Sequence, residues 1–412
     1  MKIGYACTPL KLNNRTTRTF TLKNYSEETL INCINLNLKD LIKILEYNIS
    51  KGILLFRISS DIIPFGSHTI NNFNWNKYFK DDLNKIENLI KTNSIRVSMH
   101  PGQYTVINST NAKTVSKSIM DLNYHCLFLD SLNLDFSSKI ILHIGGVYND
   151  KAKAINNFIY NYNHLSNNIK NRLVIENDEK NYGINDLLYI SEKCSIPIIY
   201  DNLHYICYEN SQSDNYSILN LIKHTWGKDD GAIKVHFSEQ NKLKKKGSHS
   251  KTISCNKFLD YINSLKDLDI DIMTEVKDKD FSAIKCINSI KELNNSLSYN
   301  NKLNELLSYK YYLKEKGTYI FEKAEDILNS KGIIEFYKFI DPLIYKEPTE
   351  ENYIKALKSV YYILEDSLCK SEKNHFNKLY KDKKFTNCKD YLHKIIIKKD
   401  IKDMISMYYF YN

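Results

Sequence analysis

Ile95-Arg96-Val97-Ser98-Met99-His100 is a short, β-suited run that ends on an imidazole. Five further runs close on residues of the same chemical kind: Ile140-Ile141-Leu142 on His143, Leu173-Val174-Ile175 on Glu176, Ile196-Pro197-Ile198-Ile199-Tyr200 on Asp201, Ile233-Lys234-Val235 on His236, and Ile272-Met273-Thr274 on Glu275. A single His or Glu after a strand says little. Imidazoles and carboxylates at the same end of successive strands converge on one spot when those strands form a parallel barrel, and there they can hold a divalent metal.

Outward from these runs, short β-branched stretches alternate with longer stretches of helical period, the pattern of parallel βα units. Strands are expected near 2–6, 52–58, 95–99, 139–144, 172–176, 196–201, 231–237 and 271–275, with helices near 38–50, 78–91, 113–131, 151–168, 184–193, 217–224 and 256–266. The fold class is α/β, a (β/α)8 TIM barrel over 1–297. Past 298 the strand pattern stops and segments rich in Lys and Tyr take over, so 298–412 reads as a helical C-terminal extension of unknown role, joined through the polar stretch 295–301. A dinucleotide-binding sheet is disfavoured, because Gly4-Tyr5-Ala6-Cys7-Thr8 supplies no G-x-G-x-x-G turn. No nucleotide cofactor is therefore expected.

Composition narrows the partners. The chain of 412 residues carries 58 Lys+Arg against 48 Asp+Glu, a formal charge of +10 that favours an anionic partner. Nearly all the positive charge is lysine, and so few arginines leave little for bidentate base reading, so a nucleic acid would be held by its phosphates. The nine cysteines form no C-x-x-C pair, which speaks against a zinc ribbon and for a reducing compartment. With no signal peptide and no apolar run of about 18 residues, the expectation is a soluble cytoplasmic protein that binds no membrane.

At the strand ends the candidate metal ligands are His100, His143, Glu176, Asp201, His236 and Glu275, joined by His204 three residues past Asp201 and by His249 in the loop after the seventh strand. Any one histidine taken alone is more often a satisfied polar residue, but the set of eight at one barrel end points to two or three ions. Imidazole suits borderline cations such as Zn2+ or Mn2+, and carboxylates can bridge them. His125, His164, His224, His375 and His393 fall on helix candidates and read as structural. Lys234 shares a strand face with His236 and so points into the barrel beneath it. Burial should lower its pKa, leaving a neutral amine, a carbamate formed with CO2, or a lysine paired with a buried carboxylate. In the loop after the third strand, Gln103-Tyr104 on a Gly-supported turn could wedge into a base stack. Lys242, Lys244, Lys245 and Lys246, with Arg15 and Arg18 on the same face, would form a phosphate track.

With these residues assembled, the chain resembles the UV damage endonuclease family, kin of the endonuclease IV barrels. The resemblance runs in order through Gly4-Tyr5, Arg57-Ile58-Ser59-Ser60 with Pro64, Met99 to Tyr104, Leu142-His143-Ile144-Gly145-Gly146, Glu176 to Lys180, Asp201 to His204, Lys234 to Ser238, His249, and Glu275-Val276-Lys277, covering about 1–290. It implies a metal-dependent DNA repair endonuclease that nicks UV-damaged double-stranded DNA immediately 5′ of cyclobutane pyrimidine dimers and 6-4 photoproducts, leaving a 3′-hydroxyl. It also implies three divalent ions, Mn2+ favoured and Zn2+ or Mg2+ as alternatives. His100, His143 and Glu176 would hold one ion, Glu176, Asp201, His236 and Glu275 a second, and His204 with His249 a third. Lys234, Glu176 and His68 become candidate catalytic residues, Gln103 and Tyr104 match probing residues, and Tyr5 and His68 sit where relatives meet the lesion or its phosphate. The first loop departs from the family, reading Ala6-Cys7-Thr8-Pro9 where an Asn is expected near the motif's end. A monomer is expected. Two other functions compete: a xylose-isomerase-like sugar isomerase or epimerase, which the four-lysine loop and Gln103-Tyr104 disfavour, and a catalytically inactive lesion-binding module.

Overall fold

A computed structural model describes residues 1–211 and 214–411. Eight parallel strands close into a barrel in chain order: β1 (Ile3–Ala6), β2 (Leu55–Ile58), β3 (Arg96–Met99), β4 (Lys139–His143), β5 (Leu173–Glu176), β6 (Ile198–Asp201), β7 (Ile233–Phe237) and β8 (Ile270–Thr274), which pairs back onto β1. The register sets ligand beside ligand at the carboxyl ends, His143 opposite Glu176 and Asp201 opposite His236. Gly4 is needed where β1 meets β2, since a Cβ there would lie 1.7 Å from Leu55 O.

Alternation along these strands divides the barrel interior into two chemically different halves. Ile141, Val174 and Ile199 from β4 to β6 form a dry cluster capped by Trp226. The other half is polar and fully paired. Arg96 of β3 reaches Asp271 of β8 at 2.9 Å and three backbone carbonyls besides, and Lys234 Nζ of β7 donates to Ser98 Oγ of β3 at 2.5 Å. A buried guanidinium persists only when paired as Arg96 is with Asp271. The aliphatic layer stabilises the closed barrel, and the polar columns lead upward to the ligands.

Capping explains where the helices differ from their sequence expectation. The first runs over Glu27–Lys51, starting well before 38, because Ser26 accepts from Thr29 N–H and Glu27 and Glu28 suit the positive helix start. The single helix expected over 151–168 is two, Lys151–Asn163 and Asn167–Arg172, with Ser166 capping the second. A helix missed by the periodicity, Asn202–Glu209, begins directly on the last residue of β6, whose side chain caps it. Among the described residues no helix is long and apolar enough to cross a membrane.

The chain divides into two compact units. The first comprises Met1–Pro9, Asn14–Ser250 and Tyr261–Lys279, and the second Leu10–Asn13, Lys251–Asp260 and Asp280–Asn412. The polar stretch 295–301 taken as the joint lies inside the second unit. The helix Asp280–Leu293 belongs there because Asn288 Nδ2 donates to Tyr337 Oη at 3.0 Å and Lys285 Nζ pairs with Asp341 at 2.5 Å. That unit is helical, with a tyrosine-rich core that includes Tyr309, Tyr312 and Tyr408. Its buried charges are matched as well, Lys11 with Glu305 at 3.0 Å and Lys389 with Glu315 at 3.2 Å.

Candidate metal centre

Residues two apart on a strand share a face, so the inward column that carries Ser98, Ile141, Val174, Ile199 and Lys234 delivers His100, His143, Glu176, Asp201 and His236 to the mouth of the barrel. Glu176 stands among the imidazoles. Its Oε1 lies 2.6 Å from His236 Nδ1, and its Oε2 lies 3.2 Å from His100 Nε2 and 3.6 Å from His143 Nε2. Burial alone would push the Glu176 carboxyl up, but the neighbouring imidazoles, His236 first and then His143, hold it well below the usual carboxylate range.

Two triads of possible ligand atoms result, His100 with His143 and Glu176, and Glu176 with Asp201 and His236, each with atoms within 4.8 Å of one another. Glu176 is common to both, as a bridging carboxylate would be. The remaining hydrogen bonds show that the residues fit a cation. His100 Nδ1 lies 3.0 Å from Pro101 O, which can only accept, so in the neutral ring the lone pair sits on Nε2 and faces Glu176 Oε2. Two electron pairs in contact need a proton or a cation between them. Burial pushes the His100 imidazole down to about 4, with Arg57 adding to the fall, so a proton is the poorer of the two. His143 Nδ1, Asp201 Oδ2 and His236 Nε2 are buried without a hydrogen-bond partner, an arrangement that folded proteins rarely tolerate without an ion or water.

Asp201 does two things. Its Oδ1 accepts the His204 N–H at 2.7 Å and starts the helix Asn202–Glu209, which leaves Oδ2 for the site. Asn177 locks this corner, donating to Asp201 O at 3.0 Å and accepting from Asp201 N–H at 2.8 Å. That helix turn brings His204 beside the cluster, Nδ1 donating to Asn177 O at 3.0 Å. Burial would lower the His204 imidazole, but Asp201 and Glu176 raise it to about 9. His249 follows, its ring 6.3 Å from that of His204.

Glu275 stands apart from both triads. Its Oε1 accepts from Arg57 Nη1 at 2.5 Å and lies 3.2 Å from His236 Nδ1. Against the cost of burial, Arg57 first and then His236 hold this carboxyl far below its ordinary value. Arg57 is the site residue that sequence reasoning missed. Its place one residue before the end of β2, opposite Ser98 on the neighbouring strand, was the available signal. Beneath the cluster, burial, reinforced by Arg96 and Arg57, holds the Lys234 ammonium well below the usual lysine range.

The remaining expected residues separate into two groups. Gln103 and Tyr104 are exposed, Tyr104 at 84%, and line a cleft of 1220 Å³ with His100, His143, Lys180 and His204. Lys242, Lys244, Lys245 and Lys246 are exposed, and Lys244 and Lys245 border a 570 Å³ pocket with His249 and Lys277. His68 and Arg15 are exposed. Tyr5 is a correction: it is fully buried and donates to Asn48 Oδ1 at 2.9 Å, because it sits on the outward face of β1 against the helix Glu27–Lys51 and cannot meet DNA there. Arg18 is partly exposed, with its guanidinium on Asp40 at 2.6 Å and on Arg15 O, which fastens the first loop to the same helix.

Residues 1–309 match the model of the family described as UV-endonuclease UvdE. A UV DNA damage endonuclease of Clostridium perfringens is 48% identical over 410 residues, covering 99% of this chain and 99% of that protein. One of Bacillus cereus is 32% identical over 303 residues, covering 71% of this chain and 95% of that protein. The crystal structure of SacUVDE superposes with a TM-score of 0.68 at 41% identity, covering 71% of this chain and 99% of that one. The likeness to the Clostridium protein runs on through the C-terminal helices, beyond the end of the family model. On a match of this extent, carried by a barrel with its ligands at the strand ends, the chain is an enzyme that belongs to the UV-endonuclease UvdE family.

Proposed function

We propose that the chain is a DNA repair endonuclease that nicks duplex DNA immediately 5′ of cyclobutane pyrimidine dimers and 6-4 photoproducts and leaves a 3′-hydroxyl. The observation that carries this reading is the Glu176-centred cluster opening onto a cleft whose wall bears the exposed pair Gln103-Tyr104. Divalent cations, three in number with Mn2+ favoured, would supply Lewis acidity toward a phosphodiester and its departing oxygen. His100, His143 and Glu176 would hold one, Glu176, Asp201, His236 and Glu275 a second, and His204 with His249 a third.

The chain's own residues prepare that chemistry. Glu176 stays ionised and would be shared between two of the ions, Asn177 and the helix cap hold Asp201 in one orientation, and Arg57 does the same for Glu275. Lys234, whose charged form burial disfavours beneath the cluster, would serve as a base or as a metal-linked carbamate, and His68 would meet the scissile phosphate from the rim. Lys242, Lys244, Lys245 and Lys246, with Arg15, would neutralise flanking phosphates, a role that tolerates any sequence. Selectivity would come from shape: a photodimer stacks poorly, so extruding it costs less than extruding an intact pair, and Gln103 with Tyr104 would fill the gap. The protein would act as a cytoplasmic monomer.

The test is a duplex with one lesion at a known position, incubated with Mn2+, Mg2+ or Zn2+ in turn, the nick read at nucleotide resolution. A single cut adjacent to the 5′ side of the lesion is expected. Equal cleavage of irradiated and untreated duplex would refute the lesion-specific part.

A further inference from the structure

Between His143 and the helix Lys151–Asn163 the backbone takes a shape that one of its residues does not favour. Asp150 N–H donates to Val147 O at 2.9 Å, closing a four-residue turn whose central residues, Tyr148 and Asn149, have φ of 48° and 64°. A tight turn with positive φ at both centres suits Asn, Asp or Gly. Asn149 conforms. Tyr148 does not, and an aromatic residue held in the left-handed region is strained.

Burial does not account for that strain, since Tyr148 is 43% exposed. Its ring lies against Gly146, where an added Cβ would come within 3.3 Å of Tyr148 Cζ. Gly146 is itself held, its carbonyl accepting from Asn108 Nδ2 at 2.7 Å and from Tyr182 Oη at 2.9 Å. The ring therefore rests on a fixed platform five residues past a metal-ligand candidate. It lines the same 1220 Å³ cleft as His143, Gln103 and Tyr104, with Tyr104 supplied by the loop after β3 and Tyr148 by the loop after β4.

We infer that Tyr148 is a specificity-determining residue whose ring stacks on a nucleobase displaced from the duplex, on the β4 wall of the cleft. This rests on the damaged-DNA reading given above. Stacking accepts any base, because every base offers a π face, and a ring already fixed in place loses little freedom on binding.

The experiment uses the full chain loaded with Mn2+ and duplexes whose linkage 5′ of the lesion position is an uncleavable methylphosphonate, and measures by fluorescence anisotropy the affinity for a duplex with one cyclobutane thymine dimer and for the same duplex undamaged. Tyr148→Asn is expected to lower the ratio of the two affinities about tenfold and to raise the melting temperature by about 2 °C, since Asn relaxes the turn. Tyr148→Phe should keep the ratio within about twofold of the wild type. A ratio unchanged in Tyr148→Asn, or a lower melting temperature, would overturn the inference, the latter because the ring would then be serving the fold. Loss of the ratio in Tyr148→Phe would overturn stacking in favour of the hydroxyl. A wild-type chain with no preference for the damaged duplex defeats the functional reading and this inference together, whereas a preference that survives Tyr148→Asn defeats this inference alone.

Discussion

Glu176 Oε1 lies 2.6 Å from His236 Nδ1 while the other oxygen of the same carboxylate faces His100 and His143, so one side chain joins both triads of possible ligands. Glu176→Gln keeps the shape and removes the charge. Metal content measured by inductively coupled plasma mass spectrometry should fall by about half or more, and cleavage on the order of 1,000-fold. Retention of full metal content would show that the carboxylate is not shared.

His204 makes metal uptake depend on pH. In the metal-free protein its imidazole is raised to about 9, so between neutrality and that value a cation must displace a proton. Apparent affinity should climb from pH 7 to 9, with proton release visible in calorimetry run in buffers of different ionisation enthalpy. His204→Asn should flatten the climb. The folding linkage has the opposite sense: a raised histidine stabilises the metal-free fold below its unfolded value of about 6.5, and the gain is lost as pH rises through 9.

Arg57 and Glu275 form a nearly buried ion pair at 2.5 Å. Arg57→Met strands a carboxylate and should destabilise the metal-free protein by about 3–5 kcal/mol at neutral pH. Because the folded Glu275 value is depressed, its contribution is present above the unfolded value of about 4.3 and is lost as pH falls. Thermal melts of the chelated protein should therefore show a wild-type decline below that pH and a smaller one in Arg57→Met. Parallel curves would mean the pair contributes nothing.

Asp201 separates capping from ligation. Asn is as good a helix cap as Asp, so Asp201→Asn should melt close to the wild type when metal-free yet lose most metal and activity. Asp201→Ala should in addition lose about 1 kcal/mol of stability. If both substitutions spared metal binding, the free Oδ2 would have no role as a ligand.

Lys244 and Lys245 border the pocket beside His249. Replacing both by Ala should weaken binding to all duplexes alike and reduce the slope of log affinity against log salt by about 2. A change confined to damaged duplex would place these lysines at the lesion instead.

Chain order and local pattern were enough to read the eight strands, the barrel and the six residues at the strand ends, because strand alternation and the common polarity of parallel strands act over a few residues and carry every terminal side chain to the same rim. Cross-barrel partnerships were not legible. Arg57 with Glu275 and Lys234 with Ser98 are separated by 218 and 136 residues, and only closure of the barrel brings them together. The face of Tyr5 was equally hidden, since a four-residue strand containing a glycine gives too short an alternation to set its phase. Tyr148 shows the same division: its residue type stands in the chain, but the left-handed backbone that aims it into the cleft is imposed by the Val147–Asp150 turn and by the carbonyl contacts that hold Gly146.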